Sequence, residues 1–198
     1  MDLRLRLELT GTTPMLLKNP RMADPDEPFV QEINKITAKG KRMTEDDRRT
    51  KERLQWMAAL YIDEGRVVVP TANVRKCLID SGKTGRKGTA IAQAVTFTDL
   101  FVPLAYDGPS DPRKLWEDAT FRHRTMVNAN PSSGKKSMVP SVRPRFYPWA
   151  VVVDVILLEN VLDLADLQYY ADRAGQAIGL GDGRTIGFGR FTVVIKQL

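Results

Sequence analysis

Five glycines, Gly179, Gly181, Gly183, Gly187 and Gly189, interleave with Arg184 and Arg190 near the end of the chain. Glycine permits positive φ and lets another backbone approach closely, so such a loop can turn N–H groups toward a phosphate while the arginines supply charge. The same composition also suits a tight helix-to-strand connection, with glycines at the helix cap and at a bulge. A dinucleotide-binding fingerprint is excluded by order, because that motif follows a strand and opens a helix, whereas this loop follows a helical pattern and opens a strand. Gly82-Lys83-Thr84 has the ending of a Walker A loop, but the glycine required five positions earlier is Cys77 and the preceding segment is helical. Gly134-Lys135-Lys136-Ser137 fails in the same way.

Arg143-Pro144-Arg145-Phe146-Tyr147-Pro148-Trp149 mixes arginines with aromatic rings. Bases stack on such rings for about 1 to 3 kcal/mol each, and arginine adds phosphate contacts, so the run suits a single-stranded nucleic acid. Phe146 and Trp149 also have the placement of core anchors at the start of a strand. His123, the only histidine, stands between Arg122 and Arg124. An imidazole there can serve as acid or base in RNA cleavage, or simply as a polar side chain on a basic face, and the second role fits a lone histidine better. The carboxylates Glu45, Asp46 and Asp47 have the placement of helix-start residues and not of a two-metal site.

Charge is unevenly distributed. The 198 residues carry 30 Lys and Arg against 24 Asp and Glu, a formal net charge of +6. Between Asp118 and Asp154 there is no carboxylate, and Arg122, Arg124, Lys135, Lys136, Arg143 and Arg145 account for the whole surplus. A basic excess concentrated in one segment is the electrostatic footprint of a polyanion binder; a solvated loop kept for solubility is the plainer alternative. One cysteine, Cys77, and one histidine exclude an intramolecular disulfide and a zinc finger. No metal or other cofactor is expected. The first residues alternate charge with leucine, unlike a secretory leader, and no run reaches the ~18 to 20 apolar residues of a membrane span. A cytoplasmic protein without membrane contact is expected.

The elements that must position these residues follow from periodicity. Leu3, Leu5, Leu7 and Leu9 alternate with Arg4, Arg6 and Glu8, as in a half-buried strand. Met15 to Arg21 is bounded by prolines and reads as an extended loop. Two helical patterns come next, one around Phe29, Ile33 and Ile36 and one from Thr44 to Tyr61, where Thr44 and Asp47 have capping-box spacing. Leu54, Met57, Ala58 and Tyr61 form the apolar side of the second, widened by Trp56 and Leu60. Asp63 to Arg66 turns into a strand at Val67 to Pro70, and Thr71 is placed to cap a helix from Ala72 to Ser81 whose outer face carries Arg75 and Lys76. The basic loop Lys83 to Gly88 precedes an apolar region, Ile91 to Leu104, with a strand expected over Thr96 to Val102. Phe121 to Val127 alternates again and leads to a polar tip, Asn128 to Lys136. Trp149 to Leu158 is a β-branched strand interrupted by Asp154. Asp163 caps a helix buried at Leu164, Leu167, Tyr170, Ala171, Ala174 and Ile178, and a closing strand covers Phe191 to Ile195.

The helix followed by Gly-Leu-Gly-Asp-Gly-Arg-Thr-Ile-Gly-Phe-Gly-Arg-Phe at 179–191 resembles the glycine-rich loop of the repeat-associated mysterious proteins, the RAMP superfamily of CRISPR systems. The first strand running into Thr13-Pro14-Met15-Leu16, and Val69-Pro70-Thr71-Ala72-Asn73-Val74-Arg75 entering a helix, are similar to that superfamily's opening and its proline-led helix start. The resemblance implies an α+β chain with a ferredoxin-like (RRM-like) β-α-β-β-α-β core in a single domain over 1–198. Within it, residues 20–65 would be a helical insertion and 106–145 a basic finger, its hairpin running from Phe121 to Arg145. It also implies subunits that lie side by side along a guide RNA, with other effector-complex subunits as partners, or a solitary phage-type relative on single-stranded DNA.

The expected ligand is therefore single-stranded RNA or DNA, bound with tolerance of sequence by a homo-oligomer or filament. The expected path comprises Lys18, Arg21, Arg75, Lys76, Lys83, Arg86, Lys87, Arg122, His123, Arg124, Lys135, Lys136, Arg143, Arg145, Tyr147, Arg184 and Arg190, together with the glycine-rich loop. Catalysis is not expected. A metal-independent RNA endonuclease using His123, and an assembly protein whose basic hairpin meets an acidic partner, are the alternatives.

Overall fold

The computed structural model describes residues 2–128 and 138–198; the expected hairpin tip with Lys135 and Lys136 lies outside the described residues. In chain order the strands are β1 (Asp2–Gly11), β2 (Met15–Leu16), β3 (Ile62–Asp63), β4 (Arg66–Pro70), β5 (Val95–Phe97), β6 (Phe101–Pro103), β7 (Ala105–Tyr106), β8 (Arg122–Asn128), β9 (Met138–Phe146), β10 (Trp149–Leu158) and β11 (Phe191–Gln197). The helices are α1 (Pro28–Thr37), α2 (Glu45–Ala59), α3 (Thr71–Gly82), α4 (Gly88–Ala94), α5 (Pro112–Leu115) and α6 (Leu164–Arg173). The chain is α+β with antiparallel sheets. It divides into two compact units, one of Met1–Leu16, Tyr61–Ser110 and Phe146–Leu198, the other of Leu17–Leu60 and Asp111–Arg145.

The first unit is built on an antiparallel sheet in the order β11-β1-β10-β5, with β7 pairing the start of β10. Period-two alternation gives this sheet one apolar face. Leu5, Leu7 and Leu9 of β1, Val151, Val153, Val155 and Leu157 of β10, and Phe191 and Val193 of β11 are buried. The core is completed by Val74, Cys77 and Leu78 of α3 and by Leu167, Tyr170 and Ala171 of α6. The two helices are tied where the Ser81 hydroxyl donates to the Tyr170 carbonyl at 2.8 Å. Asp154, the interruption in β10, lies opposite Arg6 in the ladder and accepts two 2.8 Å hydrogen bonds from its guanidinium. Those bonds hold the Asp154 carboxyl below the usual carboxylate range. Trp149 packs its indole on Gly11, where a Cβ would stand 2.3 Å from the ring, and its Nε1–H donates to the Thr13 carbonyl.

Three local expectations change in this unit. Thr71 does not cap α3: Pro70 occupies the cap position, and the Thr71 hydroxyl donates to the Asp99 carbonyl at 2.6 Å. The strand expected over Thr96 to Val102 is two short ones, β5 and β6, with α4 before them, because Thr98-Asp99-Leu100 turns the chain between strands that join different partners, β10 and β4. The last helix is α-helical only to Arg173 and continues as a π turn over Ala174–Ile178, where Gly175 brings it onto the backbone of Phe191; a Cβ there would meet the Phe191 carbonyl oxygen at 2.1 Å.

In the second unit, α1 and α2 stand with the β8–β9 hairpin. Both capping-box bonds are present, Asp47 N–H donating to Thr44 Oγ1 and Thr44 N–H to Asp47 Oδ2, each 3.1 Å. The buried stripe of α2 is centred on Trp56, Ala58 and Ala59, with Leu54 and Met57 at its margins. The reason is Trp56, fully buried, whose Nε1–H donates to the Phe121 carbonyl at 2.8 Å and whose ring meets Trp116 edge-on at 5.8 Å. Met15 to Arg21, expected as an extended loop, forms β2 and then enters a 3-10 turn, Pro20–Ala23, capped by the Asn19 side chain.

Candidate nucleic-acid interface

All five loop glycines have positive φ, from 69° at Gly183 to 98° at Gly187. The N–H groups of Gly179, Leu180, Asp182, Ile186, Gly187, Phe188 and Gly189 each donate to a main-chain carbonyl. Two of those carbonyls belong to Pro14 and Leu16, and the Thr13 hydroxyl donates to Gly187 while accepting from Arg190 N–H, each at 2.9 Å. The N–H groups of Asp182 and Gly189 stitch the loop to residues 14–16 and the other five close it on itself and on the end of the preceding helix, so none of the seven is turned to a ligand, which corrects the phosphate-cradle reading at those positions. The glycines serve close backbone contact: a Cβ at Gly189 would lie 1.8 Å from the Leu180 carbonyl oxygen, and one at Gly181 2.3 Å from that of Leu16. What the loop offers a ligand is side-chain charge. Its 3-10 turn, Arg184–Ile186, presents Arg184, and Arg190 Nη2 donates to the Arg184 carbonyl at 3.1 Å.

Arg184 meets charge from α3. Asp80 Oδ1 accepts from Lys76 and, at 2.7 Å, lies against Lys83 Nζ, while Oδ2 is 3.7 Å from Arg184 Nη1. Burial alone would raise the Asp80 pKa, but the hydrogen bonds and charges of Lys76 and Lys83 outweigh it and hold the carboxyl below its ordinary value. Lys83 opens the basic loop, which is pinned by Lys87 to Asp166 at 2.9 Å and by Arg173 Nη2 to Thr84 Oγ1 at 3.3 Å. Arg86 is held at φ 57°, and Arg75 donates to the Ala92 carbonyl at 2.7 Å. An open groove of about 470 Å³ lies here, lined by Ile79, Lys83, Arg86, Gly88, Thr89 and Ala92.

In the hairpin, His123 is paired with Arg143, Arg122 with Pro144 and Arg124 with Val142. Alternation therefore places His123, Arg143 and Arg145 on one face and Arg122 and Arg124 on the other. Arg122 lies 4.9 Å over the Trp116 ring, Arg124 Nε bonds Glu52 at 2.9 Å, and Arg145 Nη1 donates to the Thr120 carbonyl at 3.1 Å. Burial, and then the charge of Arg145, lower the His123 pKa below its ordinary value.

Arg21 has a structural task. Its guanidinium donates to the carbonyls of Ala58, Met57 and Leu60 at the C-terminal end of α2, where a cation complements the helix dipole, and it stacks 5.1 Å over Phe29. Lys18 is exposed. Of the aromatic run, Phe146 and Trp149 are core, and Tyr147 alone is substantially exposed, at 53%.

Sequence reasoning did not single out Asp80, Asp166, Arg173 or Glu52. The spacing of Lys76, Asp80 and Lys83 along one helix was a legible signal; the contacts of Arg184, Glu52, Asp166 and Arg173 are tertiary and left none. Among the described residues, no group of three or more His, Cys, Asp or Glu is placed to hold a metal, and no helix is long and apolar enough to cross a membrane.

The whole chain superposes on a chain in the cryo-EM structure of the type III-B Cmr-beta bound to cognate target RNA, with TM-score 0.55 and 10% identity, which shows a shared fold. It spans 61% of that neighbour's length. A second neighbour, the crystal structure of Cmr6 from Pyrococcus furiosus, overlaps 98% of this chain and 99% of its own with TM-score 0.39 and 9% identity. No family model and no curated protein matches the chain.

Proposed function

We propose that the chain is a non-enzymatic, RAMP-like subunit that binds single-stranded RNA or DNA with tolerance of sequence and lies beside further copies or other subunits along the strand. The observation that carries this reading is the carboxylate-free basic segment, whose described stretches β8 and β9 pair as antiparallel strands. Two findings support it. The structural neighbour at TM-score 0.55 is a chain of the type III-B Cmr-beta structure bound to cognate target RNA. The sheet order β11-β1-β10-β5, with α3 between β1 and β5 and α6 between β10 and β11, is the arrangement that a ferredoxin-like β-α-β-β-α-β core has. The candidate contacts are, within the first unit, Lys76, Lys83, Arg86 and Arg184, with Tyr147 for stacking, and, within the second unit taken by itself, His123, Arg143 and Arg145.

Phosphate neutralisation should dominate affinity, so log K should fall linearly with log salt at a slope of about −0.7 per phosphate contacted. Fluorescence anisotropy with labelled single-stranded RNA, single-stranded DNA and duplex DNA at two salt concentrations tests this. Salt-sensitive preference for a single strand is the expected result, and the preferred sugar separates a guide-RNA role in a CRISPR-like complex from a role on DNA. Absence of binding to all three at low salt overturns the reading in favour of an acidic protein partner. RNA cleavage that disappears in His123→Ala would overturn its non-enzymatic part.

A further inference from the structure

The three cations around Asp80 are arranged for a purpose that helix stability does not need. One carboxylate, its side chain only 15% exposed, sits beneath Lys76 and Lys83 at 55% and 64% exposure and Arg184 at 37%. A single recessed acid thus meets three cations brought from two distant stretches of chain, and the group keeps an excess of two positive charges. Two lysines within one carboxylate's reach would satisfy ordinary helix pairing. The third cation is delivered by the glycine loop, whose turn Arg184–Ile186 is bracketed by Gly183 and Gly187, both at positive φ. The Arg184 backbone is further fixed by Arg190 on its carbonyl.

An ammonium has three donors and a guanidinium five, so contact with Asp80, close for the two lysines and a 3.7 Å ion pair for Arg184, leaves each cation with donors for a second acceptor on its solvent side. Such an acceptor must be anionic, must bear several oxygens and must approach from the side opposite Asp80. A phosphodiester phosphate has that chemistry.

We propose that Lys76, Lys83 and Arg184 form a preorganised seat for one backbone phosphate of the bound strand, with Asp80 as the built-in counter-ion that orders the three cations and limits their affinity. The proposal rests on the nucleic-acid reading above and deepens it by naming one contact. Asp80 keeps the seat assembled without ligand, and its negative charge repels the arriving phosphate.

The test measures affinity for a labelled single-stranded oligonucleotide as a function of salt in the parent protein, Asp80→Asn, Asp80→Glu and the double variant Lys83→Gln/Arg184→Gln. Asp80→Asn should bind about three- to tenfold more tightly at low salt, since it removes a like charge beside the phosphate. Asp80→Glu should stay near the parent, and the double variant should bind more weakly with a salt slope shallower by about 0.7. Unchanged or weaker binding by folded Asp80→Asn overturns the proposal. If Asp80→Asn does not fold, an unchanged slope in the double variant overturns it instead. Thermal shift with inorganic tripolyphosphate separates the two levels. If no variant binds oligonucleotide, the nucleic-acid reading falls, while stabilisation of the parent that is lost in the double variant still supports the anion seat; equal shifts in both would sink the seat as well.

Discussion

His123 and Cys77 show how surroundings set the chemistry of single side chains. Burial and the neighbouring Arg145 charge depress the imidazole pKa from its ordinary 6.5, so the unfolded chain takes up this proton first. The stability contributed by the neutral ring is therefore complete above about pH 6.5 and is lost as pH falls through that value toward the lower folded pKa. Because His123 is the only histidine, its ring resonances titrate alone in a proton NMR spectrum. A midpoint below 6.5 is expected, and one at or above 6.5 would contradict the geometry. Cys77 is 1% exposed, its thiol placed 3.1 Å from the Gly179 carbonyl, and burial pushes its pKa up to about 12. Alkylation by iodoacetamide should thus be negligible in the native protein and rapid after unfolding; rapid native labelling would mean that the contact between α3 and the glycine loop opens readily.

At the scale of elements, signals carried by neighbouring residues were legible and those that depend on distant partners were not. The Thr44 capping box, the Asp163 cap and the alternation of β1 and β8 were all read from spacing, because the partners lie within a few residues. Thr44→Ala should cost about 1 kcal/mol in chemical denaturation, the ordinary value of a lost N-cap. The division of the apolar region Ile91 to Leu104 between the end of α4, β5 and β6 was hidden, since a short alanine-rich helix and a strand look alike in an apolar run of that length. The glycine-rich loop was recognised but its work was not. Gly189→Ala, with φ at 71° and a Cβ only 1.8 Å from the Leu180 carbonyl oxygen, should destabilise by at least about 2 kcal/mol. Gly187→Ala has φ at 98° but no atom within 4 Å of the added Cβ, so backbone strain alone should cost about 1 kcal/mol. Equal losses at the two positions would show that the loop is not held by close backbone contact.

For the whole molecule, charge is the property that composition alone settles. The surplus of six and its confinement to one carboxylate-free segment need no structure, and Lys135→Glu with Lys136→Glu should lower affinity for single strands of every sequence about equally. A loss restricted to one sequence would argue for base readout instead. The apolar alternation of β1 likewise determined which of its faces is buried, since a period of two fixes which side chains share a side. Only the tertiary structure decided that Leu17–Leu60 and Asp111–Arg145 fold as one unit, that Arg21 caps α2 while Arg184 reaches Asp80, and that most of the glycine loop's N–H groups turn inward. The physical reason is range: hydrophobic period and capping act over a few residues, whereas the fate of a donor or a charge is set by whichever acceptor the folded chain brings within about 3 to 4 Å.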